Sequence, residues 1–361
     1  MSKKICITGG AGFIAHHAIE SILNETDWEI VTLDRIDFSG NYNRLVDLLE
    51  NHPEKGRVTT VWHDLKAEFN PQIKSFLGKC NYIVHMAAGS HVDRSIDNPM
   101  DFVMDNVVGT VNVMDWARGL DSLDKMIYFS TDEVFGPAPE GIKYKEWDRY
   151  NSTNPYSASK AGAEELAVAY ENTYGLPIYI SHTMNVFGER QHPEKYIPMC
   201  IRRVRNGETI TVHSNSAKTE AGSRHYIHAK DVADAMLFLL NWRDTIPIYK
   251  NGKGILKVLD ALSGKKDTPD PVGVGKNIKF NIVGPEEVDN LTLANMIADC
   301  QNKKAITEMV DYHSARPGHD LRYALDGGLM KSLGWEPKLK LSERIQQVSD
   351  WFLKNDKWLN I

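Results

Sequence analysis

The chain has 361 residues, 42% hydrophobic and 25% charged, enough to bury a large core in one domain or somewhat more. Its formal net charge of −6 argues against nucleic acid as a partner, so a phosphorylated ligand would need locally placed cations. Cys6, Cys80, Cys200 and Cys300 form no C-x-x-C pair, so neither a metal centre nor a disulfide framework is expected; with no membrane-length apolar run and no signal-peptide core after Met1, a soluble cytoplasmic protein without a membrane partner is predicted.

Strand and helix patterns alternate through the first half, the pattern of a parallel sheet covered by helices. Lys4–Thr8 reads as a strand, and Gly9-Gly-Ala-Gly12 turns into a helix that runs to about Leu23. Strands follow at Glu29–Leu33, ending at Asp34, at Arg57–Trp62, ending near Asp64, and at Asn81–His85. Apolar residues from Phe102 to Met114 recur at helical spacing and predict a helix over 101–118. The fifth strand, Lys125–Phe129, runs into Ser130-Thr-Asp-Glu-Val-Phe-Gly136. Asn154-Pro155 opens a helix to about Tyr174, and Pro177–Ser181 is the sixth strand.

The rhythm changes after Gly188. Helices at 197–205, 231–240 and 291–300 alternate with short strands at 209–212 and 279–283, and an amphipathic helix at 342–354 closes the chain. We therefore expect an α/β fold: a Rossmann-type, doubly wound parallel sheet over 1–188, with 224–241 returning to it, and a smaller mixed domain over 189–361. The Gly-, Lys- and Pro-rich stretch at about 241–276 reads as a surface insertion.

Three motifs carry chemistry. Gly9-x-x-Gly12 stands after a strand and opens a helix, where a pyrophosphate is held by close backbone approach and the helix N-terminus. Asp34 is placed to accept from an adenosine ribose and to repel a 2′-phosphate, which favours NAD over NADP, although Arg35 beside it weighs the other way. Asp64-Leu65 is placed for the adenine edge. Tyr156 and Lys160 lie one helical turn apart, so an ammonium faces a phenol and is expected to lower its pKa for proton abstraction from an alcohol. Thr131, Asp132 and Glu133 add a hydroxyl and two adjacent carboxylates. One of these can be protonated while the other is ionised, which suits an elimination. The same triplet also fits a helix N-cap with acids in its first turn.

These stretches resemble the extended short-chain dehydrogenase/reductase superfamily, and within it the dTDP-glucose 4,6-dehydratases. The matching segments are Thr8–Ile14, His85–Ile96, Ser130–Gly136, Tyr156–Lys160, Pro193–Pro198 and Arg316–Tyr323. The resemblance implies an NAD-dependent 4,6-dehydration of a nucleoside diphosphate hexose. Tyr156 and Lys160 would act at the C4 hydroxyl, Thr131 would bond the C4 oxygen, Glu133 would take the C5 proton and Asp132 would protonate the departing C6 hydroxyl. It further implies NAD contacts from Gly9, Gly12, Phe13, Ile14, Asp34, Arg35, Asp37, Asp64, Leu65, Ala87, Ala88, Tyr156 and Lys160. Substrate contacts are implied for Ser90, Thr131, Asn185, Lys195, Arg224, Arg316 and His319, and a homodimer through helices at 99–118 and 156–174. Ala15, Gly89, Met184, Val186 and His225 depart from the family pattern and leave the base and the hexose open. A sugar-nucleotide 4-epimerase or decarboxylase is the second enzymatic reading, and a catalytically silent NAD-binding regulator the third.

Overall fold

Ile5 and Ile7 pack into one core cluster while Cys6 between them packs into another, so the first strand is buried on both faces. A near-continuous apolar strand of this kind belongs inside a helix-covered parallel sheet. The computed structural model, which describes residues 2–37, 39–242, 278–311 and 322–360, shows that sheet. Its strands are β1 (Lys4–Thr8), β2 (Glu29–Asp34), β3 (Val58–Trp62), β4 (Tyr82–His85), β5 (Lys125–Thr131), β6 (Ile178–Thr183) and β10 (Ile278–Ile282), the last numbered by chain order. All pair in parallel in the order β10-β6-β5-β4-β1-β2-β3. The winding reverses between β1 and β4, and the crevice at their carboxyl ends is where ligands bind in open sheets of this type. Helices Phe13–Glu25 and Ala229–Asn241 cover one face; Pro71–Leu77, Gly109–Ala117 and Pro155–Tyr174 cover the other.

Two expectations are corrected. The strand foreseen at 279–283 within the smaller domain is an edge of the large sheet, paired with β6. Phe280 drives this placement, since its ring packs at 5.6 Å from Tyr179 and 6.1 Å from Trp242. The helix foreseen over 101–118 is not one α-helix. It begins at Pro99, passes through a π-helical segment at Val103–Val108 and resumes as Gly109–Ala117.

The remaining strands are β7 (Asn185–Phe187), β8 (Thr209–Ser214), β9 (Ser223–His228), β11 (Glu287–Asp289) and β12 (Ile306–Asp311). They form a three-stranded sheet, β11-β9-β7, and a parallel pair, β12-β8. Helices Tyr196–Asn206, Asn290–Cys300 and Leu341–Lys354 share a separate core around Ile201, Ile297 and Phe352. Most of the insertion expected at 241–276 lies outside the described residues. No described helix is long and apolar enough to cross a membrane.

Candidate active site

The glycine loop is held down by the sheet it leaves. Gly9 N donates to Leu33 O at 2.7 Å and Gly12 N to Gly9 O at 2.8 Å. Gly9 has φ +72°, and a Cβ there would stand 2.9 Å from the Ala87 backbone. A side chain is therefore excluded by both conformation and space. Asp34 at the end of β2 is buried; its carboxylate accepts from Ala11 N at 3.0 Å and Ile36 N at 2.7 Å. Burial raises its pKa, and those two backbone bonds oppose the rise. Gly9, Gly12, Asp34, Arg35, Asp37, Asp64, Leu65, Ala87 and Ala88 all line one cavity of about 110 Å³.

A second cavity of about 240 Å³ shares Gly9, Gly12, Met86 and Ala88 with the first. Phe13, Ile14, Ser90, Tyr156, Lys160 and Lys195 contribute to its wall, as do Phe129 and Ser130 of β5. A close-approach glycine loop opening a helix, an acid at the end of β2 and two cavities that share lining residues fit an extended dinucleotide, which Tyr156 and Lys160 in the second cavity would flank at the end away from Asp34.

The helix carrying Tyr156 and Lys160 starts where its cap dictates. Asn154 accepts from Ser157 N at 2.8 Å, Pro155 occupies the first turn, and Gly175 (φ +70°) ends the helix. Lys160 donates to Phe129 O at 2.6 Å and lies 4.3 Å from the centre of the Tyr128 ring. Burial pushes its pKa down to about 7, against the charge of Glu164. The Thr131 hydroxyl acts on the Tyr156 phenol and favours its ionised form. The expected lowering of its pKa is overturned in the protein itself. Burial, then the charge of Glu133, raises it, and Thr131 only partly opposes them.

Thr131 ends β5 and accepts from Glu133 N at 3.4 Å, so the capping role and the site role fall on the same hydroxyl. Thr131 also donates to Asp132 Oδ1 at 3.1 Å, while Asp132 Oδ2 is buried with no hydrogen-bond partner among the described residues. Burial first and Glu133 next push the Asp132 carboxyl up to about 7; Arg224 pulls the other way. Glu133 is half-buried and receives Asn154 Nδ2 at 3.1 Å. The two carboxylates are thus inequivalent: one is poised to carry a proton near neutrality, and the other is held by an amide donor.

Behind this pair lies a hub that the motifs did not announce. Glu164 is fully buried and accepts Ser130 Oγ at 2.7 Å, with His182 Nε2 at 3.1 Å, Lys279 Nζ at 3.0 Å and the Tyr150 hydroxyl also on it. Burial alone would raise its pKa, but His182, Lys279 and Tyr150 together hold it well below the usual carboxylate range. Asn154, Asp105 and Glu164 are the residues that sequence reasoning missed. Only Asn154 carried a signal, as the cap before Pro155.

The substrate-side expectations separate. Ser90 and Lys195 face the second cavity. Arg224 lies on β9 with its guanidinium 4.8 Å from the Tyr323 ring centre, and its charge reaches Asp132. Asn185 is exposed on β7, paired with Tyr226, and lines neither cavity. Arg316 and His319 lie outside the described residues.

Comparison with known proteins places the chain in company. The model of the NAD dependent epimerase/dehydratase family matches residues 5–251. The low-salt glycan biosynthesis protein Agl12 of Haloferax volcanii is 33% identical over 353 residues, covering 98% of this chain and 99% of that protein. The dTDP-D-glucose 4,6-dehydratase of Mus musculus is 30% identical over 361 residues, covering 99% of this chain and 91% of that one. Among solved structures, DesIV, a dTDP-glucose 4,6-dehydratase of Streptomyces venezuelae with NAD and TYD bound, superposes with a TM-score of 0.79 at 28% identity, covering 98% of each chain.

Proposed function

Because the chain belongs to the NAD dependent epimerase/dehydratase family, we propose that it is an NAD-dependent 4,6-dehydratase of a nucleoside diphosphate hexose. The observation that carries this reading is the inequivalent pair Asp132 and Glu133 beside Tyr156. An exchange of configuration at C4 needs one acid/base group; loss of water across C5 and C6 needs two more, one protonated and one not. The relatives named as dTDP-glucose 4,6-dehydratases support the same reading.

NAD, when bound, supplies a hydride acceptor for C4 and the same hydride for C6. The chain's residues do the rest. Tyr156 takes the proton of the C4 hydroxyl, and the Thr131 hydroxyl, which favours the ionised phenol, orients that oxygen. The Tyr156 pKa is raised in the chain alone, and a nearby positive charge such as an oxidised nicotinamide would favour its ionised form. Once C4 is a ketone, the C5 proton is acidic. Glu133 removes it, and Asp132 gives its proton to the departing C6 hydroxyl, releasing water; as C6 is then reduced, Glu133 returns a proton to C5. Lys160 holds the strand end through the Phe129 carbonyl. Ser90, Lys195 and Arg224, with Arg316 and His319 outside the described residues, are assigned to the sugar and diphosphate, with the large-sheet half holding the dinucleotide and the smaller half the sugar nucleotide. Asn185, which lines neither cavity, is left out of that set.

Exposed Met100, Val103 and Met104 on the segment after Pro99, with Tyr174 at the end of the long helix, support pairing of two chains through these helices. Sedimentation as a monomer at micromolar concentration would remove that element.

The test of function is incubation with dTDP-glucose, UDP-glucose and UDP-N-acetylglucosamine in deuterated water, followed by NMR. A dehydratase yields a 4-keto sugar with a C6 methyl group and solvent deuterium at C5, with no net reduced cofactor. A C4 epimer without deuterium at C5 would replace this reading by epimerisation.

A further inference from the structure

Six charged side chains line the cavity at the Asp34 end: Asp34, Arg35, Asp37, Asp64, Lys66 and Asp105. Two cations therefore face four carboxylates. Arg35 directly follows the ribose-side acid, the position from which an arginine accommodates a 2′-phosphate in dinucleotide sites. Its guanidinium is already engaged. Nη1 and Nη2 donate to the two Asp105 oxygens at 2.6 Å and 2.8 Å, and Nε donates to Asp37 at 2.5 Å. This bidentate fork is the strongest geometry available to an arginine and a carboxylate. Lys66 is drawn the same way, 3.4 Å from Asp64 and 3.7 Å from Asp105.

Asp105 reaches Arg35 because of the π-helical segment Val103–Val108. π-turns tend to mark functional positions. Here the turn delivers two adjacent residues to the cofactor side: Asp105 to Arg35, and Asn106 to both the N–H and the carbonyl of Gly89, at 2.7 Å and 3.0 Å.

We propose that Asp105 is a specificity residue for the cofactor: by chelating Arg35 it withdraws the cation beside Asp34 from the ribose 2′ position, so that the pocket takes NAD and rejects a 2′-phosphorylated dinucleotide. The inference rests on the dinucleotide reading of this cavity. Asp34 is then one of two barriers, the second delivered from a segment 70 residues away.

The test is displacement of fluorescent NADH from the full chain by ADP and by 2′,5′-ADP, read as the ratio of their inhibition constants. Asp105→Asn lowers the ratio of 2′,5′-ADP to ADP by about tenfold, the equivalent of one lost charge contact. Asp37→Asn, on an exposed loop and without risk to the π-turn, lowers it by about threefold. Adding Arg35→Ala to Asp105→Asn returns the ratio to the wild-type value. An unchanged ratio in Asp105→Asn or in Asp37→Asn, or a gain that persists without Arg35, overturns the proposal. Failure of ADP itself to displace NADH from the unaltered chain overturns the dinucleotide reading beneath it, a separate result.

Discussion

Asp132 and Glu164 are both buried within reach of the end of β5, yet their carboxyl groups are displaced in opposite directions. Consecutive hydroxyls serve them: Ser130 bonds Glu164 and Thr131 bonds Asp132. Desolvation raises both. What differs is the company. Glu164 gathers a hydroxyl, a phenol, an imidazole and an ammonium. Asp132 has one hydroxyl, an unsatisfied oxygen and a second carboxylate as its sequence neighbour. A carboxylate meant to stay ionised is saturated with donors. The carboxyl left short of donors is the one whose pKa rises toward neutrality, as the proposed proton donor requires.

The largest effect should come from breaking the saturated side. Glu164→Ala leaves His182 and Lys279 buried without their shared anion, and removal of one partner from a buried ionic group costs about 3–5 kcal/mol. Urea denaturation monitored by circular dichroism reads this as a lower midpoint with little change in slope. The sign with pH follows from the same group. Its folded pKa is depressed, so its contribution is fully present above the ordinary carboxylate value of about 4.3 and is lost as pH falls below it. The wild type should therefore lose more stability on acidification than Glu164→Ala does. Equal acid sensitivity of the two would mean that the hub is not the ionised cluster described.

Asp132 should behave oppositely. Asp132→Asn removes the proposed proton donor and should lower the rate of water loss by about a hundredfold or more, while stability holds or rises. A folded pKa pushed up to about 7 means that ionising this group on raising the pH costs the folded state. The acid form is present below about 7, so the wild-type elimination rate should fall as pH rises through that value. Glu133→Gln removes the neighbouring charge that helps to raise it, so the Asp132 carboxyl should titrate lower, as ¹³C NMR of the labelled side chain would show. A Glu133→Gln variant whose Asp132 titrates no lower would assign the shift to burial alone.

Much of this was legible in the sequence, and the boundary is a physical one. Alternating strands and helices, the glycine loop and the one-turn spacing of Tyr156 and Lys160 are local patterns, and local patterns fixed the sheet and the position of the site. Partners supplied from afar were not legible. Glu164 meets His182 and Lys279 only after β6 and β10 have joined the sheet, and β10 itself follows a long weakly patterned stretch that hid its membership. Arg35 reads as a free cation until the π-turn brings Asp105 onto it. The direction of the Tyr156 shift is hidden from the sequence for the same reason. Spacing puts an ammonium near the phenol, but burial and Glu133 act across space, and the ammonium is spent on the Phe129 carbonyl.

Asn154 joins the two halves of the comparison, and its substitution should give the smallest and most informative effect. Its Oδ1 caps the helix that carries Tyr156, Lys160 and Glu164, while its Nδ2 holds Glu133. Asn154→Ala loses both, and cap removal costs about 1 kcal/mol. Asn154→Asp keeps a capping oxygen but sets a negative charge where Glu133 had a donor. Stability should then stay near wild type while proton removal from C5 slows, because the donor that holds Glu133 is replaced by a like charge. Exchange of the C5 proton with solvent deuterium isolates that step. If Asn154→Asp exchanged as fast as wild type, the amide would be a cap and nothing more, and its bond to Glu133 would not matter to that step.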